Sequence, residues 1–181
     1  MARRHGWLGR ARSGARALGV AGVLLAASVV GAMPQPGEAL PEFSTRDLLD
    51  QPRQSRELTG RPTLLVVITD KDGGEAMQRW FDTAGTRVPK AVHRASILSL
   101  KLPFFVSNGT VRGKVREKVP RDFWAATWLD KNGDMAKALG LATSRTPYAF
   151  ALDARGRVVA AVHGDAQAPE AEALWKALSG P

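Results

Sequence analysis

The chain has 181 residues, with 26 Lys and Arg against 17 Asp and Glu, a formal net charge of +9, 44% hydrophobic residues and no cysteine. That is enough chain and enough apolar side chain for one domain with a real core, and it excludes wholesale disorder, collagen-like repetition and a polytopic membrane protein. Without cysteine there is no disulfide, no thiolate nucleophile and no Cys-ligated zinc or iron–sulfur cluster.

Residues 1–32 read as an export signal. Arg3, Arg4, Arg10, Arg12 and Arg16 form a positive stretch with no acid before Glu38, and an apolar run from Leu18 to Ala32 follows. Val30-Gly31-Ala32 offers small residues for a peptidase cutting before Met33, and Gly37-Glu38-Ala39 offers a second site. The run is shorter than the roughly 20 residues that span a bilayer, so a removable leader is expected, with an uncleaved anchor over residues 17–33 as the alternative. The expected location is outside the cytoplasm, periplasmic or extracellular. Residues 33–41, rich in Pro and Gly, are expected to be a linker, and residues 42–180 the domain. Five of the nine net charges lie in the leader, and the remaining +4 is too little to imply nucleic-acid binding.

Thr63-Leu-Leu-Val-Val-Ile-Thr69 is a continuous β-branched and aliphatic run, as in a strand buried on both faces. Met77, Trp80, Phe81 and Ala84 follow at the spacing of a one-sided helix, with Asp72 as its expected N-cap and Glu75 completing a capping box. A second strand is expected within His93 to Leu100. Beyond Gly109, Val111, Val115 and Val119 recur every four residues among Arg112, Lys114, Arg116, Lys118 and Arg121, the pattern of a helix with a solvated basic face.

Ala125 to Leu129 reads as a third strand, placing Trp124 and Trp128 on one face of it. Asp130-Lys-Asn-Gly133 turns the chain into a short helix around Met135, Ala138 and Leu139, which Gly140 can stop. Tyr148 to Leu152 and Val158 to His163, joined by Asp153-Ala-Arg-Gly156, have the turn chemistry of a hairpin. A last helix opens at Pro169 and buries Ala171, Leu174, Trp175 and Leu178. Strands alternating with helices, then a hairpin and a terminal helix, predict a single α/β domain with a mixed sheet.

That order, with three stretches, resembles the thioredoxin-like superfamily in its TlpA, peroxiredoxin-related form (AhpC/TSA-like). Phe43 to Leu58 with Gly60-Arg61-Pro62 is similar to the opening hairpin and lead-in of such domains. Leu129 to Leu141 resembles the Asp-x-x-Gly-x-x-Ala-x-x-x-Gly insert, and Thr146-Pro147 through Asp153, Gly156 and Val158 resembles the Thr-Pro, strand, Asp-x-x-Gly, strand signature. The resemblance implies a three-layer α/β/α fold around a central mixed sheet. It also implies that Pro147 is a cis-proline and that the family's Cys-x-x-Cys positions are Asp72 and Glu75. Two carboxylates can neither form a low-pKa thiolate nor resolve a mixed disulfide. The chain therefore looks like a redox-inactive member, similar to the cysteine-less, exported YtfJ type.

The candidate binding surface comprises Asp72, Gly73, Gly74, Glu75, Thr146, Pro147 and Tyr148, where a partner protein or extended peptide of the cell envelope would dock. No residue is assigned a catalytic role and no cofactor is expected. An alternative reading takes Asp70, Asp72 and Glu75 as metal ligands or proton carriers of an enzyme, provided their oxygens converge. A third takes the domain as a membrane-tethered structural module. His93 and His163 fall at expected strand ends without a catalytic spacing, and Gly73-Gly74 lacks the Lys-Ser/Thr of a phosphate loop.

Overall fold

The computed structural model describes residues 32–180, so the expected leader up to residue 31, His5 included, lies outside the described residues. Seven strands form one mixed sheet: β1 Ser44–Asp47, β2 Pro52–Gln54, β3 Thr63–Ile68, β4 His93–Ser99, β5 Thr127–Asp130, β6 Tyr148–Leu152 and β7 Val158–His163. Four helices accompany them: α1 Gly74–Arg87, α2 Asn108–Arg116, α3 Asp134–Ala138 and α4 Glu172–Ser179. The strand order is β2-β1-β5-β4-β3-β6-β7. Strands β3, β4 and β5 run parallel, and the hairpins β1–β2 and β6–β7 pair antiparallel on either flank.

The central strand shows why the sheet needs two covering layers. Leu64, Val66 and Ile68 of β3 belong to one apolar cluster, Leu65 and Val67 to another, as the two-residue period of a strand requires. The first cluster takes Met77, Trp80 and Ala84 from α1, Val111 from α2, and Leu174, Trp175 and Leu178 from α4. The second takes Met135 and Leu139 from around α3 together with Leu58 and the partly buried Met33, Leu40 and Phe43. This is the expected three-layer α/β/α arrangement, its second layer made largely of irregular chain. Trp80 and Trp175 meet at 5.0 Å between ring centroids, and their indole N–H groups donate to the carbonyls of Gly164 and Ala166.

Local chemistry fixes the turns. The buried Asp130 carboxylate accepts the backbone N–H of Asn132 and Met135 and the Ser99 hydroxyl, so it both caps α3 and ties it to β4. Gly140 then stops the chain at φ +63°, and a Cβ there would fall 2.6 Å from the Ala32 carbonyl oxygen. Asp47, fully buried, accepts two backbone N–H groups of its own turn and a two-pronged Arg53 guanidinium.

Three expectations are corrected here. Residues 33–41 are not a free linker: Gly37 N–H donates to the Val158 carbonyl, the Val158 N–H donates to Glu38, and Ala39 bridges to Arg157. Pro and Gly break regular structure in this segment, but they leave its backbone free to pair where the sheet edge offers partners. Trp124 is not on the strand with Trp128. It sits in a 3-10 turn, Arg121–Ala126, started by Pro120, where its indole donates to Val119 and its ring lies under Arg116. The expected Asp72–Glu75 capping box also does not form. The chain leaves β3 through a one-turn 3-10 helix, and Asp70 caps that turn by accepting the Asp72 N–H.

Candidate functional site

The expected surface gathers at the end of the sheet where β3 stops and β6 begins. Thr69, buried at the end of β3, donates its hydroxyl to the Ala142 carbonyl at 3.0 Å and accepts the Ser144 N–H at 2.9 Å. The loop before β6 is thereby clamped against the start of α1. Gly73 completes the approach: a Cβ there would lie 3.2 Å from both the Arg145 carbonyl oxygen and the Ile68 side chain. Only a residue without a side chain lets this backbone pass at that distance without displacement.

Charge follows geometry. Asp72 accepts the Lys71 ammonium at 2.8 Å, and the exposed Arg145 guanidinium stands 3.7 Å from its other oxygen. The Lys71 hydrogen bond, aided by Lys71, Arg145 and Lys118 as positive neighbours, holds the Asp72 carboxyl below the usual carboxylate range. Glu75 is exposed one turn further on. Thus the loop of Thr146 and Pro147 does meet Asp72 and Gly73, through Arg145.

Pro147 is buried and Thr146 exposed, but among the described residues every peptide bond is trans, the Thr146–Pro147 bond included. The expected cis-proline is corrected. The Thr146 N–H donates to the Ser144 hydroxyl at 3.0 Å. Side-chain acceptors close this turn: Thr69 takes the Ser144 amide and Ser144 takes that of Thr146.

Tyr148 and His163 are cross-strand partners, and their rings stack at 4.0 Å with planes 11° apart. The Tyr148 hydroxyl donates to the Ala142 carbonyl, and burial raises its pKa. His163 Nε2 lies 3.0 Å from the Ser144 hydroxyl oxygen. Ser144, Arg145 and His163 therefore join the surface, though no motif announced them. The hairpin count alone sets His163 opposite Tyr148.

Asp70 is spent on the 3-10 turn and Asp72 on its cations, and among the described residues no group of three His, Asp or Glu side chains is placed to hold a metal ion. A concave pocket of about 370 Å³ lies elsewhere, between Phe43, Ser44 and Gln54 to Arg56 on the β1–β2 hairpin, at the opposite edge of the sheet from β7.

No family model matches the chain, and no curated protein matches it. Solved structures do. A thiol:disulfide interchange protein of the thioredoxin family from Chlorobium tepidum TLS is 16% identical, with a TM-score of 0.52 over 82% of this chain and 99% of that one. The MTB dsbF structure is 16% identical, with a TM-score of 0.55 over 78% of this chain and 96% of that one. A thiol peroxidase from Chromobacterium violaceum is also 16% identical, with a TM-score of 0.51 over 75% of this chain and 79% of that one. At this identity the likeness is one of fold, and the fold is thioredoxin-like. The chain has no cysteine with which to carry out thiol–disulfide exchange or thiol-based peroxide reduction.

Proposed function

We propose that the protein is an exported thioredoxin-fold binding protein, working without thiol chemistry. Its partner would be an extended segment of another envelope protein, laid across the start of α1 and the Arg145-Thr146-Pro147 loop. One observation carries the reading: a buried hydroxyl and a side-chain-free glycine hold an exposed loop in contact with the helix start, although no cysteine requires that contact. The exposed residues Arg145, Thr146 and Glu75 form the outer face of this junction. With the Thr146 N–H engaged by Ser144, recognition rests on side chains rather than on a two-bond strand pairing.

A photo-crosslinking residue at Thr146, at Glu75 and, as control, at Arg155 on the far hairpin turn tests this in the producing cell. The expected result is one discrete adduct shared by positions 146 and 75, absent at 155 and lost with Arg145→Glu. Equal labelling at all three positions, or none at 146 and 75, overturns it.

A further inference from the structure

Phe104 and Phe105 are 92% and 75% exposed, the two most exposed large apolar side chains among the described residues. They are not on a loose loop. Leu102 and Val106, on either side, pack against the core, the Val106 N–H donates to the Pro103 carbonyl, and the Lys131 ammonium donates to the Val106 carbonyl at 3.0 Å. The core side chains thus anchor a tight turn that presents two phenyl rings outward, set edge to face at 5.7 Å.

Charge is distributed to match. Residues 100–121 hold Lys101, Arg112, Lys114, Arg116, Lys118 and Arg121 against Glu117 alone, a net of +5, whereas the whole chain after residue 32 carries +4. The rest of the domain is therefore within one charge of neutral, and the excess positive charge lies in the segment that runs from Lys101 through the turn and α2 to Arg121. Arg112 is committed to Asp50 and Arg116 to the Leu48 carbonyl, which pins α2 to the β1–β2 hairpin. Lys101, Lys114, Lys118 and Arg121 remain exposed.

We propose that the Phe104–Phe105 turn is a docking tip for an anionic phospholipid surface, the two rings entering the headgroup boundary while Lys101, Lys114, Lys118 and Arg121 face the lipid phosphates. Charge complementarity selects an anionic occupant, and shape selects a bilayer. Two protruding rings at the apex of a convex turn offer a folded partner no flat or concave apolar face, whereas an interface of mobile lipids needs only a wedge of apolar surface with cations around it. This proposal does not need peptide capture at Thr146; the two share only Lys118, a positive neighbour of Asp72.

Because the chain has no cysteine, Phe104→Cys gives a single labelling site for an environment-sensitive dye, and Phe105→Cys, made separately, gives a second. Arg155→Cys, on the turn at the other end of β6, is the control. The labelled full chain is mixed at low salt with vesicles of phosphatidylglycerol or of phosphatidylcholine. On phosphatidylglycerol, the dye at 104 or 105 is expected to shift to the blue and lose at least threefold in iodide quenching, with position 155 unchanged. Adding Lys114→Glu and Lys118→Glu is expected to raise the lipid needed for half the shift about tenfold or more. Co-sedimenting chain whose dye at 104 and 105 stays as quenchable as in buffer overturns the proposal. So does an equal shift on phosphatidylcholine, or protection that arises with envelope proteins and not with vesicles.

Discussion

The Thr69 hydroxyl and the Ser144 amide, 75 residues apart in sequence, lie 2.9 Å from each other and hold the two halves of the candidate surface together. Replacing Thr69 by Val keeps the shape but leaves the Ser144 N–H and the Ala142 carbonyl without that partner. The expected cost is about 1–3 kcal/mol, read from urea denaturation. Amide exchange should accelerate first at residues 142–146, and unchanged exchange there would show that the clamp is dispensable.

Gly73 and Gly74 are neighbours with opposite tolerance. Alanine at 73 would press on the Arg145 carbonyl and the Ile68 side chain, so Gly73→Ala is expected to destabilise by about 1 kcal/mol and displace the Arg145 loop. Nothing lies within 4 Å of a Cβ at Gly74, which has helical dihedrals, so Gly74→Ala is expected to stabilise by about 0.5 kcal/mol. Paired thermal melts check both signs at once.

Asp130 serves three donors from two elements. Asp130→Ala is expected to cost about 3 kcal/mol, because buried N–H groups and the Ser99 hydroxyl lose a charged acceptor together. Chemical denaturation measures it, and a loss below 1 kcal/mol would mean that water or a neighbour replaces the carboxylate.

His93, half-buried at the start of β4, has a pKa below its ordinary 6.5, first because burial disfavours the cation and then because Arg61 repels it. As pH falls through 6.5 the unfolded chain takes up a proton that the folded chain refuses, so folding stability drops from about pH 7 towards pH 5. Above 6.5 this contribution is fully present. His93→Gln should flatten that limb of the stability profile, read from urea denaturation at a series of pH values.

Periodic and turn-forming stretches announced their structure. The β-branched run gave β3, the Asp153-to-Gly156 turn gave the last hairpin with its ends in place, and Ala171, Leu174, Trp175 and Leu178 are all buried as their spacing requires. What stayed illegible depends on elements meeting in space. Spacing pointed to Asp72 as the cap where Asp70 caps, because the choice turns on an intervening 3-10 turn. The bridge from Thr69 to Ser144 and the ion pair of Arg112 with Asp50 span 75 and 62 residues, beyond the reach of any local pattern. Nor does spacing reveal that Ser144 rather than a cis bond shapes the Thr146–Pro147 turn.

The segment before β1 occupies the outer side of β7 at Val158, whose N–H and carbonyl both pair with Gly37 and Glu38. Proteolytic trimming ahead of Met33 would preserve this seal. Trimming after Ala39 would remove it and bare an unpaired strand margin, along which a second molecule could zip to start a chain of self-association.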